Sequence, residues 1–246
     1  MLERVLEVEA MLTAAEALDY DSMDHSAVNR LFVADLLAAG LTAGEVLDVG
    51  TGTAQLPIEL CRQTAEGKKG DSPHLPERPE GCFAQMGSVP FFPAVRVLAV
   101  DLSDEMLSLA RRNVLCACLT HRIRLEKADA KQLPYADGRF AAAISNGILH
   151  HIPEPRTMLG EMWRVVAPGG MVFVRDLFRP ADEDAVQRLV AAYAPGANLH
   201  QRQMFAASFR AALSVGEVRT LVAGLGVAPD TVQATSDRHW TWCARK

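Results

Sequence analysis

The sequence predicts an α/β fold built on a mostly parallel sheet, and three observations carry that prediction. Apolar runs of strand length recur along the chain, each followed by a turn and a helix-like stretch, which is the pattern of βα units. Three of these runs end in or beside an acid, at Asp48, Asp101 and Asp129. The C-terminal part offers a helix and then two short strands near 231–235 and 239–244, an antiparallel finish that a dinucleotide-binding domain does not have.

Composition bounds what the chain can do. With 246 residues, 49% apolar and 22% charged, it is expected to form one large globular domain around a sizeable core. A net charge of −5 offers no electrostatic footprint for nucleic acid, which is not expected as a partner. Glu3, Glu7 and Glu9 stand where a signal peptide would be basic. No apolar run reaches the roughly 18 residues of a membrane span. The five cysteines, Cys61, Cys82, Cys116, Cys118 and Cys243, are odd in number and scattered, so a cytoplasmic location is expected. Cys116 and Cys118 are not a C-x-x-C pair, and no metal site is expected.

The elements follow in order. Residues 2–18 have loosely helical apolar spacing, and Asp19, Tyr20, Asp21, Ser22, Met23, Asp24 and His25 form a polar cluster before a second helix over 26–39. Capping explains the Asp and Ser residues of this cluster, with Gly40 as the C-terminal stop of the second helix. The run Val46–Val49 is a buried strand carrying Asp48, and Gly50, Thr51 and Gly52 turn it into a helix over 54–62. Glycine permits positive φ and close approach of a ligand to the backbone, while the helix start offers free N–H groups and its positive dipole end. Such a turn suits a nucleotide-like ligand at the carboxyl end of a strand. The dinucleotide fingerprint G-x-G-x-x-G/A fails, because Gln55 occupies its third position.

Residues 64–94 have no periodicity and are rich in Pro and Gly, so they are expected to be a mobile insertion. Arg96–Asp101 restores the strand pattern, with Ser103 as the N-cap of the next helix. An acid at this strand end can accept hydrogen bonds from both hydroxyls of a ribose. Ile123–Ala130 alternates as a third strand and carries Asp129. Phe140–Asn146 is a fourth, followed by Gly147, Ile148, Leu149, His150 and His151. A helix over 158–166, the stop Pro168-Gly169-Gly170 and a strand ending in Arg175 and Asp176 make the fifth unit. Helices near 183–194 and 215–225 precede the terminal strands.

Asp48-Val49-Gly50-Thr51-Gly52 resembles the D-x-G-x-G motif of the class I S-adenosylmethionine (SAM) dependent methyltransferases. The Leu149-His150-His151 run resembles the ubiquinone/menaquinone-biosynthesis-like branch that acts on small molecules. The resemblance covers roughly 44–178 in ordered motifs and implies a doubly wound, mostly parallel seven-stranded Rossmann-like sheet with one antiparallel strand. It implies residues 1–40 as an N-terminal helical cap or lid and 41–246 as the SAM-binding domain.

The resemblance implies particular roles. Gly50, Thr51 and Gly52 would run under the methionine part of SAM, with Asp48 fixing its amino group directly or through water and Asn146 beside it. Asp101 and Leu102 would take the ribose, and Asp129 and Ala130 the adenine, with Met106 in the core or lining the adenine pocket. His151 and Asp176 are candidate bases, and His150 and His151 are expected to point different ways on a helix, one of them packed. Tyr20 and His25 from the lid, with His200 and Arg202, are candidate acceptor contacts, as are Arg238, His239 and Trp240. The implied activity is transfer of a methyl group from SAM to an N, O or C nucleophile of a small molecule, leaving S-adenosylhomocysteine. The D/N-P-P-Y/F signature of nucleic-acid amino methylation is absent, since Ser145, Asn146, Gly147 and Ile148 stand there. A non-catalytic SAM-binding module and an NAD-dependent oxidoreductase remain as alternatives.

Overall fold

A computed structural model describes residues 2–7, 13–64 and 95–246. The expected insertion, apart from Thr64, lies outside the described residues, as do Cys82 and part of the expected first helix. Seven strands form one sheet in the order β3-β2-β1-β4-β5-β7-β6: β1 (Glu45–Val49), β2 (Arg96–Asp101), β3 (Ile123–Lys127), β4 (Phe140–Asn146), β5 (Val166–Leu177), β6 (Val232–Ala234) and β7 (His239–Arg245). The first five pair in parallel, and β7 runs antiparallel to both β5 and β6. This is the expected mostly parallel sheet with one antiparallel strand.

The period-two alternation of strand side chains divides the core into two layers. Leu47, Val49, Leu98, Val100 and Ala143 face one way. They meet α5 (Pro155–Val165) and α8 (Val215–Ala223), whose Met158, Met162, Val218 and Val222 are fully buried. Val46, Val97, Ala99 and Ile144 face the other way. There they meet α2 (Ser26–Ala38), α3 (Gln55–Gln63) and α4 (Asp104–Cys116), through residues such as Phe32, Leu60 and Val114. Burying one such large apolar side chain is worth about 1.5–3 kcal/mol, so the two layers fix the strand ends that shape the site. A smaller cluster joins α6 (Glu183–Tyr193) to α7 (Leu199–Ala211) through Val186, Val190 and Phe209.

Four local expectations change. Residues 2–7 have no regular structure, and the first helix, α1, is Ala14–Asp21. A capping box starts it: the Thr13 hydroxyl accepts from Glu16 N–H while the Glu16 carboxylate accepts from Thr13 N–H. Tyr20 therefore belongs to the helix, not to a loop after it. The Asn198–Gln201 capping box starts α7, an element that the polar sequence there did not announce by its apolar spacing. The Pro168-Gly169-Gly170 stop is absorbed into β5, where the register jumps from Phe140↔Val166 to Ala142↔Met171. His150 and His151 lie on a short 3-10 turn, Leu149–His151, so their rings stand side by side with centroids 4.1 Å apart.

Arg122, just before β3, is buried and holds both ends of the 65–94 segment. Its guanidinium donates to Cys61 O (2.7 Å) and to the Thr64 hydroxyl (2.8 Å) on one side, and to Val95 O (3.0 and 2.8 Å) on the other.

Candidate active site

A cavity opens at the carboxyl ends of β1, β2, β3 and β4, where an open parallel sheet binds ligands. Its larger part is lined by Tyr20, Gly50, Gly52, Asp101, Leu102, Met106, Ala128, Asp129, Ala130, Asn146, Gly147, Ile148, His151 and Ile152. A second lobe reaches Asp48, Thr51, Thr53, His25, Asn29 and Gln55, and shares Tyr20, Gly50 and Asn146 with the first. The expected cofactor residues Asp48, Gly50, Thr51, Gly52, Asp101, Leu102, Met106, Asp129, Ala130 and Asn146 are thus brought to one cleft.

The glycine turn is shaped by space as much as by φ. Gly50 has φ +73, and a Cβ there would stand 2.4 Å from Ile148 Cδ1. Gly52 has φ +55, and Tyr20 Cε1 would be 3.7 Å from its Cβ. The turn also carries Ala54 at φ +64, a left-handed conformation unusual for a residue with a side chain.

The acids differ in their surroundings. Asp101 is held by backbone: Oδ2 accepts from Gly52 N (2.8 Å) and Oδ1 from Ser103 N (2.9 Å). Burial raises its carboxyl above the ordinary value, against the pull of these N–H groups. An ionised carboxylate has about four lone-pair sites, so Asp101 retains acceptor capacity for a ligand's hydroxyls. Asp129 accepts from Lys131 N (2.8 Å) and pairs with the Lys131 ammonium at 3.1 Å.

Asp48 is 1% exposed, and its Oδ2 finds no partner among the described residues. Burial pushes its carboxyl up to about 7; the Thr51 hydroxyl opposes this and the Asp101 charge adds to it. A buried oxygen without a partner beside a cavity is a place prepared for a ligand's donor.

From above, Tyr20 stacks on His25 with ring centroids 4.7 Å apart. Burial, then the charges of Asp101, Asp48 and Asp21, push the Tyr20 hydroxyl up to about 12. Burial lowers His25, whose Nε2 has no partner among the described residues. Asp21 ties α1 to the scaffold, accepting from Asn113 Nδ2 (2.8 Å), Gln55 Nε2 (3.4 Å) and Arg112 Nη2 (2.9 Å).

The expected bases part company. His151 lines the cavity, with Nδ1 3.1 Å from Glu7 Oε2. Asp176 does not reach the cavity: its Oδ1 lies 2.7 Å from His150 Nδ1, its Oδ2 accepts from His150 N, and Leu177 N donates to Oδ1. Burial, the largest single influence, lowers His150, but the Asp176 charge and hydrogen bond together with the Glu7 charge leave the imidazole raised. Burial alone would raise Asp176, but the His150 charge and hydrogen bonds together with the Leu177 N–H hold it low. Asp176 therefore holds the histidine turn in place and does not stand over a substrate. Its neighbour Arg175 points to the opposite face, donating to Asp35 Oδ2 at 2.6 Å.

The C-terminal candidates are not at the cavity either. His200 is exposed on α7. Arg202 is also exposed and donates to Ala197 O (3.1 Å) and Pro195 O (2.7 Å), bracing the loop before its helix. Arg238 lies over the Tyr193 ring, 3.4 Å from its centroid. His239 is lowered to about 4 by burial and by Arg238, and Trp240 is fully buried in the core. Polar-aromatic composition marked these residues, but their partners are structural.

Sequence reasoning missed Glu7 and Arg4. Arg4 donates to Ala211 O (2.7 Å), His150 O (3.2 Å) and Ile152 O (3.0 Å), laying residues 2–7 against α7 and the histidine turn. A charged residue in an irregular segment gives no periodic signal, so no pattern marked either.

A family profile described as a methyltransferase domain matches residues 81–174. That match covers less than half of the chain. The match begins after β1 and its glycine turn. The chain is 30% identical over 135 residues to a demethylmenaquinone methyltransferase of Desulfitobacterium hafniense, covering 55% of this chain and 43% of that protein. It is 30% identical over 139 residues to a ubiquinone/menaquinone biosynthesis C-methyltransferase of a Geobacter species, covering 56% and 47%. The chain thus spans under half the length of these curated relatives. Among solved structures, a SAM-dependent methyltransferase from Aquifex aeolicus shares the fold with a TM-score of 0.63 at 17% identity. That likeness covers 95% of this chain and 98% of the other. Among the described residues, no helix is long and apolar enough to cross a membrane.

Proposed function

We propose that this chain is a SAM-dependent methyltransferase acting on a small-molecule N, O or C nucleophile in the cytoplasm. The observation that carries the reading is the single cleft in which Gly50, Gly52, Asp101, Asp129 and Asn146, from the ends of four adjacent parallel strands, converge with the unpartnered Asp48 oxygen. The residues fit the cofactor: the glycine turn leaves room that a Cβ would fill, and Asp48 offers a buried acceptor to an ammonium group. Asp101 takes the ribose hydroxyls, Asp129 and Ala130 the adenine edge, and Leu102 and Met106 pack against the ring. Bound SAM supplies a methyl group made electrophilic by its sulfonium. The chain's own part is then to align the nucleophile with that methyl group and exclude water.

Tyr20 and His25 lie over the turn between the two lobes, which supports a lid role for residues 1–40 and a place for the acceptor beneath them. His151 is a nitrogen base on the wall of the larger lobe and the candidate to take a proton from an acceptor that carries one. The names of the curated relatives direct the acceptor search to hydroquinones bearing an unmethylated ring carbon.

The test is calorimetric titration with SAM, S-adenosylhomocysteine and NADH, followed by transfer of labelled methyl from SAM to a panel of hydroquinones, phenols and amines. Micromolar binding of the first two ligands with label transferred to one acceptor class is the expected result. Binding of NADH alone, or of no ligand, removes the proposal. Tight SAM binding without transfer to any acceptor turns it into a non-catalytic SAM-binding module.

A further inference from the structure

The chain places two imidazoles and one carboxylate together at the rim of the cleft, and no step of methyl transfer described above uses all three. Glu7, His150 and His151 each offer one ligand atom, and these atoms lie within 4.8 Å of one another. Glu7 Oε2 stands 3.1 Å from His151 Nδ1 and 4.0 Å from His150 Nε2. Nitrogen and oxygen ligands about 2.0–2.1 Å from a divalent ion stand roughly 3.3 Å apart at tetrahedral angles, so the group needs only small rotamer adjustments to close on one.

Three features set this group apart from a chance surface cluster. His150 is 5% exposed, and its other nitrogen is already held by Asp176 at 2.7 Å. A carboxylate on the far nitrogen fixes the tautomer and aims the near one, an arrangement that metal-binding histidines recurrently use. Glu7 is 15% exposed, yet its Oε1 finds no hydrogen-bond partner among the described residues. A buried carboxylate oxygen without a partner costs free energy unless something binds it. Finally, Glu7 arrives on a strap that Arg4 and the Val5 N–H (3.1 Å to Arg210 O) fasten to α7 and the histidine turn, so its position over the histidines is anchored.

We infer that Glu7, His150 and His151 form a binding site for a single first-row divalent transition-metal ion at the edge of the cleft. Two imidazoles and a carboxylate suit zinc or iron(II) better than magnesium or calcium, which prefer all-oxygen sites. His151 belongs to both the ligand set and the cavity wall, so an ion here would lie beside the space given to the acceptor. It would supply a Lewis acid able to hold an acceptor's oxygen as its anion, in place of His151 as base, since an imidazole that ligates through one nitrogen carries its proton on the other. The inference goes beyond methyl transfer and is read without turnover, so it stands or falls separately from that activity.

The experiment uses the full chain, stripped with a chelator and titrated with Zn2+ by calorimetry and with Co2+ by visible absorption. The expected result is one ion per chain, weakened at least about tenfold in both Glu7→Gln and His151→Gln. The Co2+ spectrum should carry nitrogen and oxygen ligand bands without thiolate charge transfer. Circular dichroism of each variant checks that the fold is kept, and Glu7→Gln, on the strap outside the sheet, is expected to keep it. No uptake by the wild-type chain overturns the inference. So does uptake unchanged in a folded Glu7→Gln, and so does a thiolate band pointing to Cys116 and Cys118.

Discussion

Gly50, Gly52, Asp101 and Asp129 form the floor of the cleft, standing at the ends of strands buried between two apolar layers. Tyr20 and His25 form its roof, with Glu7 against His151 at its edge, all from an N-terminal stretch tied down by side chains. On the floor, the Asp101 carboxylate is aimed by backbone N–H groups of Gly52 and Ser103. In the roof, positions rest on pairs such as Asp21 with Asn113 and Arg4 with the carbonyls of the histidine turn. Backbone-held groups move only if the sheet moves, whereas side-chain ties can be changed one at a time. The floor is therefore suited to a ligand that never changes, and the roof to one that varies.

This contrast can be broken most directly at Asp101. Asp101→Ala removes the carboxylate proposed to accept from two ligand hydroxyls, and hydrogen bonds to a charged group are worth about 1.5–3 kcal/mol each. Affinity for S-adenosylhomocysteine should fall about 100-fold or more in a calorimetric titration, and a loss below about fivefold would mean that the ligand does not sit on this floor. Gly50→Ala comes next. It drives a Cβ into Ile148 at a positive φ, and such overpacking costs about 1–3 kcal/mol. A melting temperature lower by several degrees is expected, and Ile148→Ala in the same chain should recover part of it. Strict additivity of the two changes would show that they do not touch.

Asp48 gives the floor a pH signature of intermediate size. Its folded value, about 7, lies above its ordinary one, so the ligand-free chain keeps a proton that the unfolded chain has released. Stability therefore falls as pH rises from about 4 to about 7. A ligand ammonium selects the ionised form, so SAM affinity should weaken up to about tenfold per pH unit below 7 and level off above it. Asp48→Asn should flatten that dependence, and a wild-type affinity independent of pH between about 5.5 and 8 would remove Asp48 from ligand contact. The smallest effect belongs to the roof. Tyr20→Phe keeps the ring and its stacking on His25 but loses the hydroxyl. Steady-state kinetics should show an acceptor KM changed a few-fold with S-adenosylhomocysteine affinity nearly constant. The opposite pattern would place Tyr20 on the cofactor.

The same division explains what the sequence let one read. Apolar runs of strand length ending in or beside Asp48, Asp101 and Asp129 are local signals, and the glycine turn is written in consecutive residues, so the floor and the sheet were legible. The roof depends on partners far apart in sequence, as with Arg4 and Ala211 or Gln201 and Asp19, and no window along the chain contains both. The strand-end position of Asp176 leaves a substrate-side acid and a structural salt bridge equally open, and packing decides for the latter by turning its carboxylate to His150. His200 and Arg202 stood out as polar residues, but a helix surface needs no other reason to be polar. The α7 capping box at Asn198 and Gln201 was readable and would have reset that expectation.

Arg122 brings Cys61, Thr64 and Val95 within reach of one guanidinium, which makes the two flanks of the 65–94 segment a closed seam in the folded body. Whatever joins them can be lengthened or shortened at a cost set by chain statistics, about 0.6 kcal/mol per doubling of length. For an engineer this is the place to open the chain: a reporter spliced in here, or a circular permutant that begins at Val95, should fold around the same cleft. For evolution it is a socket in which new sequence can be tried while the sheet beneath stays as it is.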